Sequence, residues 1–360
     1  KPGTERSKEF YKKHPELEDY DKKRQELGGW NLGPAGKIDK YYPPTKSMVE
    51  AAEESAFLFG SHFEANPADG SEQHEMDPKQ ASNIVKNYAC HIGADLVGIT
   101  KINPLWLYSH RGEECYPEID KYGSEIKNEF KYAVVFATEM NYGHVMTAPH
   151  TPLVAESMNN YAKGVYISTM LAKWFAKMGY KASAQHFSHF DMVMPPVAID
   201  AGIGEYARNG YLISDKFGAR VRLGGVLTNM PLAVDQPISL GVNEFCSRCK
   251  KCATSCPSNS IPEGDEIIHN GVKKWKLDDE SCYMLWGKFG TDCAICMSVC
   301  PYSRPNTPLH RVIRWMVKQS PIARKLFPHI DNLVYGKRWR PKTTTSWLAN
   351  PKTTMKKEVY

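Results

Sequence analysis

The chain has 360 residues, of which 42% are apolar and 24% charged, and its formal net charge is +6. That length accommodates two or three domains of about 100–200 residues each, and the apolar fraction supplies an ordinary buried core. The charge is too mild and too spread out to argue for a nucleic-acid partner, and no apolar run approaches the ~18 residues needed to span a bilayer. The chain opens at Lys1 without an apolar leader, as expected of a processed or trimmed protein.

In chain order, residues 1–85 are polar and rich in Lys, Glu and Pro, and read as an N-terminal arm or lid in which Met48–Phe59 forms one amphipathic helix. Pro78–His91 reads as a helix, and the apolar run Ala94–Thr100 as a strand. Tyr132–Thr138 is a short, β-rich run of the kind found in buried strands. A long helix is expected from Pro152 to Met178, because Ile167, Met170, Leu171, Trp174, Phe175 and Met178 recur at three- and four-residue spacing. Another is expected from Pro196 to Arg208, closed by Asn209-Gly210. Ala219–Leu227 reads as a strand with Arg220 and Arg222 on one face. Strands alternating with helices predict an α/β or α+β layer domain over residues 86–240. The basic stretch from Arg311 to Lys357 belongs to a C-terminal helical tail, 306–360, and reads as a solvated face.

Eight of the ten cysteines fall between Cys246 and Cys300, leaving Cys90 and Cys115 apart. A secreted disulfide framework would spread them along the chain, so the cluster reads as a metal module spanning 241–305. Cys246-x2-Cys249-x2-Cys252-x3-Cys256-Pro257 has the spacing of bacterial ferredoxins, whose fourth cysteine ligates the other cluster. The second run, Cys293-x2-Cys296-x3-Cys300-Pro301, lacks its first member: Gly290 stands there, and Cys282 is the nearby replacement. The crossover rule then assigns Cys246, Cys249, Cys252 and Cys300 to one [4Fe–4S] cluster. It assigns Cys256, Cys282, Cys293 and Cys296 to a second. Two structural zinc sites would also use four cysteines each, but zinc modules favour paired C-x2-C units.

No dinucleotide fingerprint, phosphate loop, haem-attachment motif or histidine motif for cobalamin is present. The chain does, however, resemble the reductive dehalogenases, the corrinoid and iron–sulfur enzymes of organohalide respiration, in their catalytic subunit. The resemblance lies in GADLVGIT (93–100), the tract from Tyr161 through MGY (178–180) and AIDAGIGEYARNGYLIS (198–214). It continues through FGARVRL (217–223), EFCSRCKKCATSCP (244–257) and KWKLDDESCYMLWGKFGTDCAICMSVCP (274–301). It implies a nitroreductase-like core binding base-off cobalamin, followed by a ferredoxin-like module carrying two [4Fe–4S] clusters. It also implies reductive removal of halide from a small organohalide by cob(I)alamin, reduced through those clusters.

The resemblance further assigns Tyr161 as proton donor and Arg222 as the cation that steadies its phenolate, with Arg220 as the alternative two residues earlier. Many relatives place an asparagine soon after the GY that ends the long helix. This chain reads GYKASAQHFSHFDMVMPP, which puts His189, or else His186, near that position. Trp275, Tyr283 and Trp286 read as core aromatics or as walls of a dry pocket. By resemblance, the expected partners are an organohalide substrate, a small integral membrane anchor protein and an upstream electron donor, with homodimerisation also considered. The expected location is the outer face of the cytoplasmic membrane, reached by the twin-arginine route. The competing readings are an epoxyqueuosine reductase-like enzyme acting on tRNA, a plain iron–sulfur electron carrier and an inactive relative.

Overall fold

The computed structural model describes residues 3–27, 39, 41–112, 123–342 and 348; Cys115 and most of the basic tail beyond 342 lie outside that set. Thr4 starts α1 (Glu5–Lys13) by accepting the N–H of Ser7 on its hydroxyl, and α2 (Pro15–Glu26) follows at once. α3 (Tyr42–Gly60) extends the apolar stretch Met48–Phe59 by two turns toward its N-terminus, because prolines in its first turn preset the helical φ. After the short β1 (Glu64–Ala65), Asp77 caps α4 (Pro78–His91) by accepting the N–H groups of Lys79 and Gln80. That helix has the ends its sequence predicts.

Next come β2 (Leu96–Lys101), β3 (Tyr132–Glu139), the single-turn α5 (Tyr142–Val145), the long α6 (Thr151–Lys177) and β4 (Ala182–Gln185). They are followed by α7 (Met194–Asp200), the hairpin β5 (Gly204–Tyr206) and β6 (Leu212–Ser214), and then β7 (Val221–Thr228). Five strands make one sheet in the order β1-β4-β7-β3-β2, with every neighbouring pair antiparallel. The layer domain is therefore α+β. Side chains alternate across the sheet. Val134, Phe136 and Val226 meet Ile167, Leu171 and Phe175 of α6 on one face. Ala133, Val135, Leu227 and Val221 meet Met194, Val197 and Ala198 of α7 on the other.

The helix expected from Pro196 to Arg208 ends at Asp200. Gly202 takes φ +73°, a left-handed conformation that breaks the helical hydrogen-bond ladder. The chain then turns into β5, so residues 204–206 are strand.

The second half is built from short pieces. These are α8 (Val242–Cys249), α9 (Lys251–Ser255), the hairpin β8 (Ile267–His269) and β9 (Val272–Lys274), α10 (Asp279–Phe289) and α11 (Ile295–Val299). α9 and α11 are each preceded by a left-handed residue that is not glycine, Lys250 at φ 52° and Ala294 at φ 48°. α12 (Pro308–Gln319) and α13 (Pro321–Tyr335) close the described chain, and Trp339 donates its indole N–H to Ala148 O at 2.7 Å. α2 lies against α10: Tyr20 hydrogen-bonds Glu280 O, and the Arg24 guanidinium stands 4.9 Å from the Tyr283 ring centre. The two halves meet at Gly218 (φ +62°), where a Cβ would lie 2.3 Å from Tyr302 O. Among the described residues, no helix is long and apolar enough to cross a membrane.

Candidate active site and cluster ligands

All the module's cysteines but Cys293, which stands in the loop before α11 at φ 56°, sit on a helix or at a helix end. Cys246 and Cys249 are on α8, Cys252 on α9, Cys296 on α11, and Cys256 and Cys300 follow the ends of α9 and α11. Cys282 rides on α10, whose last residue is followed by Gly290, the position where a regular second motif would carry its first cysteine. The fold thus moves this sulfur onto a helix instead of the loop.

The sulfurs fall into two neighbourhoods. Cys246 interacts electrostatically with Cys300, Cys252 and Cys249, and these four line one small cavity together with Arg208, Phe245 and Tyr302. Cys296 acts on Cys293, Cys282 and Cys256, and also on Cys252 of the first group. Burial pushes the thiols up, Cys249 and Cys293 to about 12 and Cys282 to about 11. Thiols placed this way stay protonated near neutral pH unless a metal takes the place of the proton. A cavity walled by four such sulfurs suits an iron–sulfur cluster. Among the described residues, no three His, Cys, Asp or Glu side chains converge on a single-ion site.

The turn between β5 and β6 grips both neighbourhoods. Arg208, fully buried, donates Nε–H to Cys246 O at 3.1 Å, and its Nη1 donates to both Pro262 O and Gly264 O. The next residue, Asn209, donates its amide to Cys296 O at 3.3 Å. The AGIGEYARNG tract therefore holds the two cluster segments in register with the sheet.

Tyr161 lies near the middle of α6, in a recess formed with α3, β7 and the turn after β4. Together with Met48 and Ala52 of α3 and with Phe187 it packs against a buried cluster of Val49, Val154, Ala155 and Met158, and the Phe187 ring centre lies 5.2 Å from its own. The Arg222 guanidinium stands 5.2 Å from the Tyr161 ring centre. It is held by Ser157 Oγ at 2.7 Å and Asp292 Oδ2 at 3.2 Å, and Ser157 Oγ in turn donates to Asp292 at 2.8 Å. Burial alone would pull the Arg222 pKa down, but Tyr161, Asp292 and Tyr211 outweigh it, and the group is raised above the ordinary arginine value. Arg220 goes elsewhere: it is fully buried against Glu139, Met140 O and Ser303 O. Tyr161 and Arg222 thus meet, and Arg220 is a structural cation.

His186 and His189 flank a tight turn, each donating its backbone N–H to the other's carbonyl. His189 stacks on Phe63 with ring centres 3.5 Å apart, and its ring nitrogens face Arg111 at 2.9 Å and Asp191 at 3.4 Å. Nδ1 of His186 bonds Ser188, and burial, reinforced by His189, pulls its pKa down to about 3. Phe187, at the tip of the turn, is the ring that meets Tyr161. Sequence reasoning missed Ser157, Asp292, Phe187 and Tyr211. Only Asp292 carried a local signal, an acid directly before a ligand cysteine.

The Tyr161 recess abuts the second cysteine group. Asp292 precedes Cys293, and Tyr211, raised well above its ordinary pKa by burial and by Cys296, also feels Arg222 and Asp292. Nε of Arg222 and Oδ1 of Asp292 are buried without a protein partner. Gly164, one turn beyond Tyr161 and buried, has no atom within 4 Å of where a Cβ would stand. Open space beside a phenol, a cation and unpaired polar atoms fits a large, mostly apolar group edged with amides. A separate apolar cavity of about 280 Å³ lies between α12, α13, Phe245 and Tyr302, away from Tyr161.

Residues 245–303 match the model of the 4Fe-4S dicluster domain. Over 291 residues the chain is 33% identical to the tetrachloroethene reductive dehalogenase of Sulfurospirillum multivorans, covering 72% of this chain and 58% of that protein. It is 30% identical over 340 residues to the enzyme of the same name from Desulfitobacterium hafniense, covering 80% of this chain and 61% of that one. The chain thus spans about three fifths of the length of these curated relatives. A solved catabolic reductive dehalogenase in complex with 3-bromo-4-hydroxybenzoic acid superposes with a TM-score of 0.73 at 28% identity, over 88% of this chain and 45% of that one. A reductive dehalogenase structure described in terms of B12-dependent dehalogenation does so with a TM-score of 0.73 at 26% identity, over 85% and 44%. An epoxyqueuosine reductase of Lactococcus garvieae is 29% identical over 119 residues, 30% of this chain and 31% of that protein.

Proposed function

We infer from this chain's membership of the reductive dehalogenase family that it replaces the halogen of a small organohalide with hydrogen, consuming two electrons and one proton and releasing halide. The observation that carries the reading is the Tyr161–Arg222 pair in an apolar recess bordering the second cysteine group. The two cysteine groups would hold two [4Fe–4S] clusters, and Tyr161, Arg222, Asp292 and the open side of Gly164 would border a bound corrinoid. When bound there, the corrinoid supplies a low-potential cobalt centre for breaking the carbon–halogen bond.

The chain's own residues do the rest. Tyr161 keeps a proton on its phenol oxygen and delivers it to the carbon that loses halide. The resulting phenolate faces the Arg222 guanidinium, whose charge it partly neutralises. Asp292 and Ser157 fix that guanidinium in place, so no side-chain entropy is lost when the charge develops. Phe187, Met48 and Ala52 keep water out, which strengthens the phenolate–guanidinium attraction. His189, engaged by Arg111, Asp191 and Phe63, fixes the turn that presents Phe187.

The reading extends to a homodimer, an upstream electron donor and a small integral membrane anchor at the outer face of the cytoplasmic membrane. The resemblance supports all three. Fractionating native cells tests the location, and a chain recovered wholly in the cytosol would overturn it.

Anaerobic reconstitution, with iron, cobalt and corrinoid measured together and turnover assayed on an organohalide panel, tests the main reading. Iron uptake with no corrinoid binding would leave a plain electron carrier as the better account. The replacement Tyr161→Phe is expected to lower turnover by about 10²–10⁴-fold, the range for losing a positioned proton donor. Iron and corrinoid contents should stay normal, and full activity in this variant would remove Tyr161 from the mechanism.

A further inference from the structure

The two cysteine groups sit in opposite electrostatic surroundings. Around Cys246, Cys249, Cys252 and Cys300 lie three buried cations. Arg208 bonds the carbonyl of Cys246 and acts on Cys252. Lys251, 2% exposed, stands between Cys249 and Cys252 in the sequence and pairs with Asp331. Arg304, 3% exposed, donates to Val299 O at 3.2 Å and to Asp331 at 2.8 and 2.9 Å, and acts on Cys300. Asp331, on α13, is the one carboxylate shared by Lys251 and Arg304.

The second group has the reverse balance. Buried Asp292 is adjacent to Cys293, and Asp278 and Asp279, both exposed, begin the helix that carries Cys282 and act more weakly on its sulfur. Arg222 offsets Asp292, and Lys276 offsets Asp279. Backbone N–H groups add to the difference. Those of Arg208, Lys251, Ala253, Tyr302 and Ser303 point at sulfurs of the first group, while in the second Ile295 N–H points at Cys293, the Trp286 side chain bonds Cys282 and Ser258 Oγ lies 3.4 Å from Cys256 Sγ.

Reduction adds one negative charge to a cluster. Buried cations and N–H donors stabilise that charge, and buried carboxylates oppose it, so local charge and hydrogen bonds to sulfur set the potential. We propose that the Cys246/Cys249/Cys252/Cys300 cluster is the higher-potential electron store of the pair, poised by Lys251 and Arg304 against Asp331. The cluster beside Asp292 is the lower-potential one, facing the Tyr161 recess. The inference rests on the two-cluster reading above. In this arrangement Asp331 does more than seat α13: it trims the positive field at the first cluster, making the C-terminal helix a tuning element.

The test is an EPR-monitored redox titration of the anaerobically reconstituted full chain, following the two reduced-cluster signals. About eight irons per chain and two signals establish the premise; fewer would sink the cluster reading itself. Lys251→Gln is expected to lower the reduced-to-oxidised ratio of the higher-potential signal about tenfold at fixed potential, a shift of about 59 mV for one electron. Asp331→Asn should shift the same signal in the opposite direction. Lys251→Arg, which keeps the charge, should leave it in place even if the packing loosens, and Asp292→Asn should raise the other signal. If Lys251→Gln and Asp331→Asn shift the signal in the same direction, or shift neither signal, the proposal fails. It also fails if Lys251→Arg shifts the signal as far as Lys251→Gln does.

Discussion

Around α6 the interior is hydrocarbon: Phe136, Ile167, Leu171, Phe175 and Val226 interlock with essentially no exposure. Around the cysteines it is sulfur and charge: Cys246, Cys293 and Cys300 share the core with Trp275 and Tyr302, and Arg208, Lys251 and Arg304 lie buried beside them. The first region repeats long elements in a five-stranded sheet. The second strings together helices as short as five residues. Such helices are too short to be stable alone, and buried cations cost free energy unless something compensates them. Hydrophobic burial therefore suffices for the sheet region, whereas the cysteine region depends on its metal to hold its shape.

Stripping iron anaerobically with a chelator should separate the two. Limited proteolysis should then open the segment 241–342 while residues 78–230 stay protected. One cooperative loss of both regions would erase the distinction. A smaller effect on the opposite side is expected from Phe175→Ala. It removes a fully buried ring from the sheet core and should cost about 3–5 kcal/mol in stability while iron content is unchanged. Loss of iron in this variant would show that the sheet region sets the metal sites.

The smallest effect concerns acid. His186, in the turn after β4, is held neutral with its pKa lowered from 6.5 to about 3. The unfolded chain takes up a proton there below pH 6.5 and the folded chain does not. The stability this group contributes is therefore present above 6.5 and drains away as the pH falls toward 3. Replacing it by Gln should flatten the acid limb of the stability curve of the sheet region. An unchanged slope would assign the acid sensitivity to other groups.

What the sequence disclosed follows the same division. α4 could be read to its ends because Asp77 and Pro78 form a capping signal and no tertiary contact overrides it. β3 was evident as an uninterrupted β-rich run. The helix after Pro196 was overextended because a helical pattern does not register that Gly202 turns left-handed. At the site, cysteine spacing encodes its own geometry, so both ligand groups could be proposed from sequence. Tyr161 and Arg222 came from resemblance, since nothing in the sequence beside either indicates that they will meet. Ser157 and Phe187 join them only through the packing of α6 on β7 and of the His186–His189 turn on α6. No local pattern records such contacts.

Gly218 meets the backbone of Tyr302 with room for a hydrogen atom and nothing larger. The metal-bearing half is thus indexed to the sheet by backbone against backbone, a contact that no side-chain repacking can loosen. Loops such as β8–β9 stand free of it, and insertions there would leave the spacing between Tyr161 and the second cysteine group untouched. At 218 even a methyl group forces a displacement at 302, and with it of Cys300 two residues before. Over evolutionary time the side chains around this junction, that of Tyr302 included, are free to drift, whereas position 218 must stay glycine.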